Sequence, residues 1–203
     1  MIVQPSWYLK CWFKNVNWRI KTEEKIVYIT FDDGPIPEVT PWVLDQGEKW
    51  KAKFTFFCVG ENVRKHPTIF AQILDNGHGV GNHCYHHTPA FKVNRKEYFA
   101  DIKKGQELIQ SDLFRPPHGQ LYPWYMKSLK KIFAKVVMWD VLTYDFDKKV
   151  SSELAFENVK KYTRPGSIIV FHDSLKAWDN LKVVLPKTLQ WLHDNGYQMR
   201  KIE

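Results

Sequence analysis

The chain has 203 residues, a length that points to one domain able to bury a substantial core. Apolar residues make up 44%, with nine Trp and thirteen Phe; this excludes a disordered polymer, and no apolar run approaches the roughly 18 residues of a membrane span. The formal net charge of +8 comes from scattered lysines, such as Lys103-Lys104 and Lys130-Lys131, and not from a basic block, so it reads as a solvated surface and nucleic-acid binding is not expected.

The N-terminal MIVQPSWYLK lacks a basic region followed by an apolar core, so no secretory leader is expected unless processing removed one. Cys11, Cys58 and Cys84 form no even framework and fit a reducing compartment. The expectation is a cytoplasmic or membrane-peripheral protein. Residues 7–19, WYLKCWFKNVNWR, interleave aromatic and basic side chains. They are expected to pack across one end of the domain, within an N-terminal extension of residues 1–24, and peripheral membrane contact is the alternative.

Short β-branched and aromatic runs follow at 25–31, 54–60, 78–83, 113–116, 136–141, 167–173 and 197–202, and each is expected to be a strand. Helical patterns lie between them. Pro67 can start a helix that carries Ile69, Phe70, Ile73 and Leu74 and stops at Asn76-Gly77. Ser151 or Ser152 can cap another that carries Leu154, Ala155 and Val159. Leu181, Leu185, Leu189 and Leu192 form a last one, in which Pro186 is expected to cause a kink or mark the true start. The alternation predicts parallel β/α units in a single domain over 1–203, monomeric, closing like a barrel. A full eight-unit barrel takes about 250 residues, so this one would be short and irregular; a doubly wound open sheet is the rival.

Polar clusters recur where these strands end: Asp32-Asp33, Asn82-His83 with His87, Pro116-Pro117-His118, Asp140 with Asp145, and His172-Asp173. In α/β folds that edge is where sites are built. Adjacent carboxylates such as Asp32 and Asp33 repel unless a cation lies near. His83 and His87 stand four apart, so on a helical turn both rings face one way and can share an ion with a carboxylate. His86 could compete for that role. Cys84 would point away from such a face. Arg115 follows an apolar strand, where a charge needs a partner, and the Asp32-Asp33 pair is the obvious one. A carboxylate such as Asp145 would keep His172 protonated and able to donate.

Five blocks in this order resemble the polysaccharide deacetylase family, also called NodB-type carbohydrate esterases: TFDDGP (30–35), GNHCYHH (81–87), RPPHG (115–119), WDVLTYDF (139–146) and IIVFHD (168–173). The resemblance implies an incomplete, distorted (β/α) barrel of about seven parallel strands. It implies an enzyme that removes N-acetyl groups from amino sugars of a poly- or oligosaccharide. By the same resemblance Asp33, His83 and His87 would bind a divalent metal, zinc first and cobalt or nickel next. Asp32 would be the general base positioned by Arg115, the His118 amide would help hold the oxyanion, and His172 would be the general acid oriented by Asp145. Trp139, Phe146 and Val170 would line a slot for the acetyl methyl, with Pro117 beside them. Cys84, His118 and Phe146 replace the Ser or Thr, Tyr and Trp usual at their positions, and Phe146 would loosen the slot. A deformylase or deacylase acting on a lipid- or nucleotide-linked amino sugar, and a non-catalytic carbohydrate-binding barrel, are the alternatives.

Overall fold

The computed structural model describes residues 3–203. Among them, eight strands alternate with eight α-helices: α1 (Trp7–Trp12), β1 (Ile26–Asp32), α2 (Thr40–Lys49), β2 (Thr55–Cys58), α3 (Gly60–Lys65), α4 (Pro67–Asp75), β3 (Gly79–Asn82), α5 (Arg95–Ile109), β4 (Leu113–Phe114), α6 (Met126–Leu129), β5 (Lys135–Val136), β6 (Val141–Leu142), α7 (Ser152–Tyr162), β7 (Ile168–His172), α8 (Trp178–Asp194) and β8 (Gln198–Met199). Seven strands run in the order β5-β4-β3-β2-β1-β7-β6, and β8 pairs with the start of β1. Every strand pair is parallel. The result is a half-barrel, as the family resemblance implies.

Alternation along β1 sets the layers. Val27, Ile29 and Phe31 face the outer helices and pack with Phe54, Phe56, Phe171 and the leucines of α8. The Phe31 ring alone contacts Phe54, Phe56 and Phe171 at centroid distances of 5.2, 5.2 and 5.9 Å, and burying each such ring stabilises the fold by roughly 1.5–3 kcal/mol. Tyr28, Thr30 and Asp32 face the interior of the half-barrel. Its floor is apolar, made of Phe57, Leu113, Val137, Ile168 and Ile202, and its upper layer is polar.

The open side between β5 and β6 is spanned by the N-terminal segment. The Leu142 amide donates to the Val3 carbonyl at one edge, and at the other Asn17 N–H donates to Val136 and Met138 N–H to Asn17. Ser6 caps α1, its hydroxyl accepting from the Leu9 amide.

Three expectations need correction. The run 136–141 is not one strand: β5 ends at Val136, the chain crosses the gap, and β6 begins at Val141. Asp140 therefore sits level with the start of β7, at the end of the sheet opposite the clusters, where it pairs with Arg164 at 2.8 Å and accepts from Ser167 at 2.9 Å. Pro186 does not mark the start of α8, which runs through it from Trp178 to Asp194. Buried Leu181, Val184, Leu185, Leu189 and Leu192 hold that helix against the sheet, and their burial outweighs the one hydrogen bond a proline removes.

Candidate active site and metal centre

β1 leaves the barrel at Asp32, and Asp33 takes a left-handed backbone with φ 84°. Gly34 follows because nothing larger fits: a Cβ there would lie 1.9 Å from the Asp173 carboxylate. That carboxylate accepts from the Gly34 amide at 3.0 Å and the Thr40 hydroxyl at 2.6 Å, so β7 pins the turn that carries Asp33. The Asn62 side chain donates to the Asp33 carbonyl at 2.8 Å.

β3 delivers His83 to the same rim. The stretch from His83 to His87 is not the helical turn expected from the spacing. Cys84 and His87 have φ of 64° and 57°, and the loop is held by outside partners: Gly60 N–H donates to Cys84 O, Glu61 N–H to Tyr85 O, and Tyr85 N–H to Asp101 O. These left-handed residues still bring the two rings together, with centroids 4.9 Å apart. Cys84 is buried with Tyr98 and Phe114 in a second core cluster and faces no ion site. His86 turns away to Asp101, Nδ1 to Oδ1 at 2.6 Å.

One donor atom each from Asp33, His83 and His87 lies within 4.8 Å of the others. His87 Nε2 is 3.3 Å from Asp33 Oδ1. His83 Nδ1 donates to the Arg115 carbonyl at 2.7 Å, which leaves Nε2 as the free ligand atom. Burial pushes His83 down to about 4, so its ring is neutral at pH 7, the form a metal needs.

Arg115 crosses the barrel interior and is 2% exposed. It donates to Asp32 Oδ1 at 2.6 Å, Thr30 Oγ1 at 2.8 Å and the Met138 carbonyl at 3.0 Å, over the Phe57 ring. Burial alone would raise the Asp32 carboxyl, but the Arg115 guanidinium, helped by His83 and His172, holds it below its usual range. Asp32 is the register partner of His172 on β7, so both side chains face the same way. Burial would lower the His172 ring, yet the Asp145 carboxylate, bonded to Nδ1 at 2.8 Å, pushes it up to about 9. The second oxygen of Asp145 accepts the His172 amide at 2.8 Å.

A cavity of about 640 Å³ opens over these groups. Trp139, Phe146, Val170 and His118 line it. Pro117 does not: it is buried, and Pro116 lines the cavity in its place. His118 has φ 57° and its amide donates to no other described residue. Gly119 follows with φ 65°, and a Cβ there would lie 2.7 Å from the Trp139 ring. The walls also include Leu9, Phe13 and Trp18 from the N-terminal segment, and Leu142, Tyr144 and Lys176. Sequence reasoning missed all of these as lining residues; the aromatic-basic run at 7–19 was the only trace of the first three.

A family model described as polysaccharide deacetylase matches residues 19–137. The peptidoglycan-N-acetylglucosamine deacetylase of Bacillus cereus is 33% identical over 189 residues, covering 90% of this chain and 89% of the relative. The peptidoglycan-N-acetylmuramic acid deacetylase PdaA of Bacillus subtilis is 28% identical over 195 residues, with 90% and 72% covered. A crystal structure of a peptidoglycan N-acetylglucosamine deacetylase in complex with a naphthyl N-oxidanyl-benzamide superposes with a TM-score of 0.83 at 33% identity, covering 89% of this chain and 87% of that one. With more than half of the chain inside the family model and nine-tenths of it aligned to named deacetylases, the chain belongs to the polysaccharide deacetylase family.

Proposed function

We propose that the protein removes N-acetyl groups from amino sugars of a glycan of the peptidoglycan class by metal-assisted amide hydrolysis. The observation that carries this reading is the convergence of Asp33, His83 and His87 to within 4.8 Å, between a charged carboxylate and a protonated imidazole. The substrates named for its relatives support the glycan class.

The donor set fits a catalytic ion. Asp33, His83 and His87 would hold it, and one carboxylate with two imidazoles suits Zn²⁺, with Co²⁺ or Ni²⁺ as substitutes. Bound there, a divalent ion would polarise the amide carbonyl and lower the pKa of a water. The chain's own groups do the rest. Asp32, kept ionised by Arg115, accepts the proton of the attacking water. The His118 amide donates to the oxygen on which negative charge develops. His172, kept protonated by Asp145, gives its proton to the leaving nitrogen. These opposite settings of Asp32 and His172 divide base from acid. Trp139, Phe146 and Val170 enclose the acyl methyl.

Acetate release from N-acetylglucosamine oligomers and peptidoglycan fragments by the zinc-loaded protein tests this reading. Asp32→Asn and His172→Ala are each expected to lower kcat by about 10²–10⁴-fold. Wild-type turnover in both variants would refute the roles assigned. A parallel series of N-formyl substrates tests the slot that Phe146 lines: faster turnover of formyl than of acetyl would favour a deformylase.

A further inference from the structure

A second cavity, of about 610 Å³, shares no lining residue with the catalytic one. The catalytic groups stand where strands end. This cavity lies where they begin, beside Tyr28 near the start of β1, Lys135 at the start of β5, and β8, which pairs with the first residues of β1.

Three separate stretches of chain bring cations to its wall: Lys51 and Lys53 from the link between α2 and β2, Lys135 from β5, and Arg200 and Lys201 after β8. Glu203 is the one acidic residue among the described lining residues. None of the five cations forms an ion pair among the described residues. Lys53 Nζ donates to the Asn76 carbonyl at 2.6 Å, and Arg200 Nε and Nη2 donate to Gln198 Oε1 at 3.1 and 2.5 Å. These neutral acceptors steady two of the cations without cancelling their charge. The field reaches the interior: burial first, and then Lys53 and Lys201, push the His78 ring down to about 4.

Cations gathered around a concave surface focus positive potential into it. The volume falls in the range of small-ligand sites, about 300–1,000 Å³. Trp50 and Tyr197 add ring surface to the wall, Trp50 beside His193 at 5.5 Å. A neutral ligand would desolvate these charges without compensation. A ligand with several negative oxygens compensates them, and lysine and arginine bind phosphoryl oxygens through charge-assisted hydrogen bonds.

We propose that this cavity is a binding site for a phosphate-bearing anion, separate from the catalytic centre. Lys51, Lys53, Lys135, Arg200 and Lys201 take the phosphoryl oxygens, and Trp50 and Tyr197 face the group that carries them. The site uses no catalytic residue, so it stands or falls apart from the deacetylase reading.

Calorimetry on the metal-stripped full chain tests it with inorganic phosphate, pyrophosphate and uridine diphosphate; stripping the metal keeps these anions from binding through an ion at the catalytic centre. Pyrophosphate is expected to bind once per chain, and more weakly as salt rises. The double variant Lys51→Gln/Lys201→Gln is expected to weaken it about tenfold or more, and Arg200→Gln about three- to tenfold. Melting curves matching wild type establish that these variants are folded. A control, Lys96→Gln/Lys131→Gln, removes two charges outside the cavity and is expected to leave affinity unchanged. Tighter binding of uridine diphosphate than of pyrophosphate supports the site and puts a nucleoside on the rings; equal affinity supports it with the phosphoryl groups as the whole ligand. No binding of any of the three at millimolar concentration overturns the site. So does unchanged affinity in the cavity variants, or equal weakening in the control.

Discussion

Asp145 acts on chemistry it never touches. It is buried, bonds to both the ring and the amide of His172, and holds that ring charged up to about pH 9 against the pull of burial. Because the folded value lies above the ordinary 6.5, the pairing stabilises the fold fully below that pH. The contribution is lost as pH rises through about 9. The alkaline limb of kcat/KM in the wild type is expected near that point, where His172 loses its proton. Asp145→Asn is expected to move the limb toward neutral pH, and to be less stable than wild type by a margin that shrinks as pH rises through the wild-type limb. A pH series of kcat/KM and of thermal melting checks both; an unshifted limb would remove Asp145 from this role. The residue types at the site were legible because charges and imidazoles at the ends of apolar strands are conspicuous. Asp140 misled because it looks the same in sequence. Only the break between β5 and β6 puts it at the other end of the sheet, bonded to Arg164.

At the scale of elements, the rim was readable from β1 and β7, whose apolar runs are long enough to show their period and their ends. The shape of the loop from His83 to His87 was not. Its left-handed residues are imposed by Gly60, Glu61 and Asp101 from distant parts of the chain, and a four-residue spacing alone suggests a helix. Nor could the sequence show that Leu9, Phe13 and Trp18 wall the cavity, since that depends on how the open side of the half-barrel is spanned. Removing residues 1–18 uncovers both sheet edges and one cavity wall. The truncated protein is expected to melt at a lower temperature, to self-associate through the bared edges, and to lose affinity for substrate. Melting curves, size-exclusion chromatography and KM measure these in turn, and a truncation that matches the full chain in all three would refute the structural role given to the segment.

For the whole molecule, the parallel half-barrel brings five distant stretches of chain to one rim, and the apolar floor beneath them keeps Arg115 and Asp32 in a dry, fixed arrangement. No helix of the described residues is long and apolar enough to cross a membrane. Trp7, Tyr8 and Trp12 stand exposed on α1 at 64, 67 and 77%. The account depends most on one property, the sharing of a single divalent ion by Asp33, His83 and His87. Zinc titration by calorimetry on the metal-stripped protein, with Asp33→Ala, His83→Ala and His87→Ala beside it, tests this without reference to activity. The expected result is one ion per wild-type chain, with affinity at least about a hundredfold lower in each variant. Wild-type affinity and stoichiometry in all three variants would contradict it.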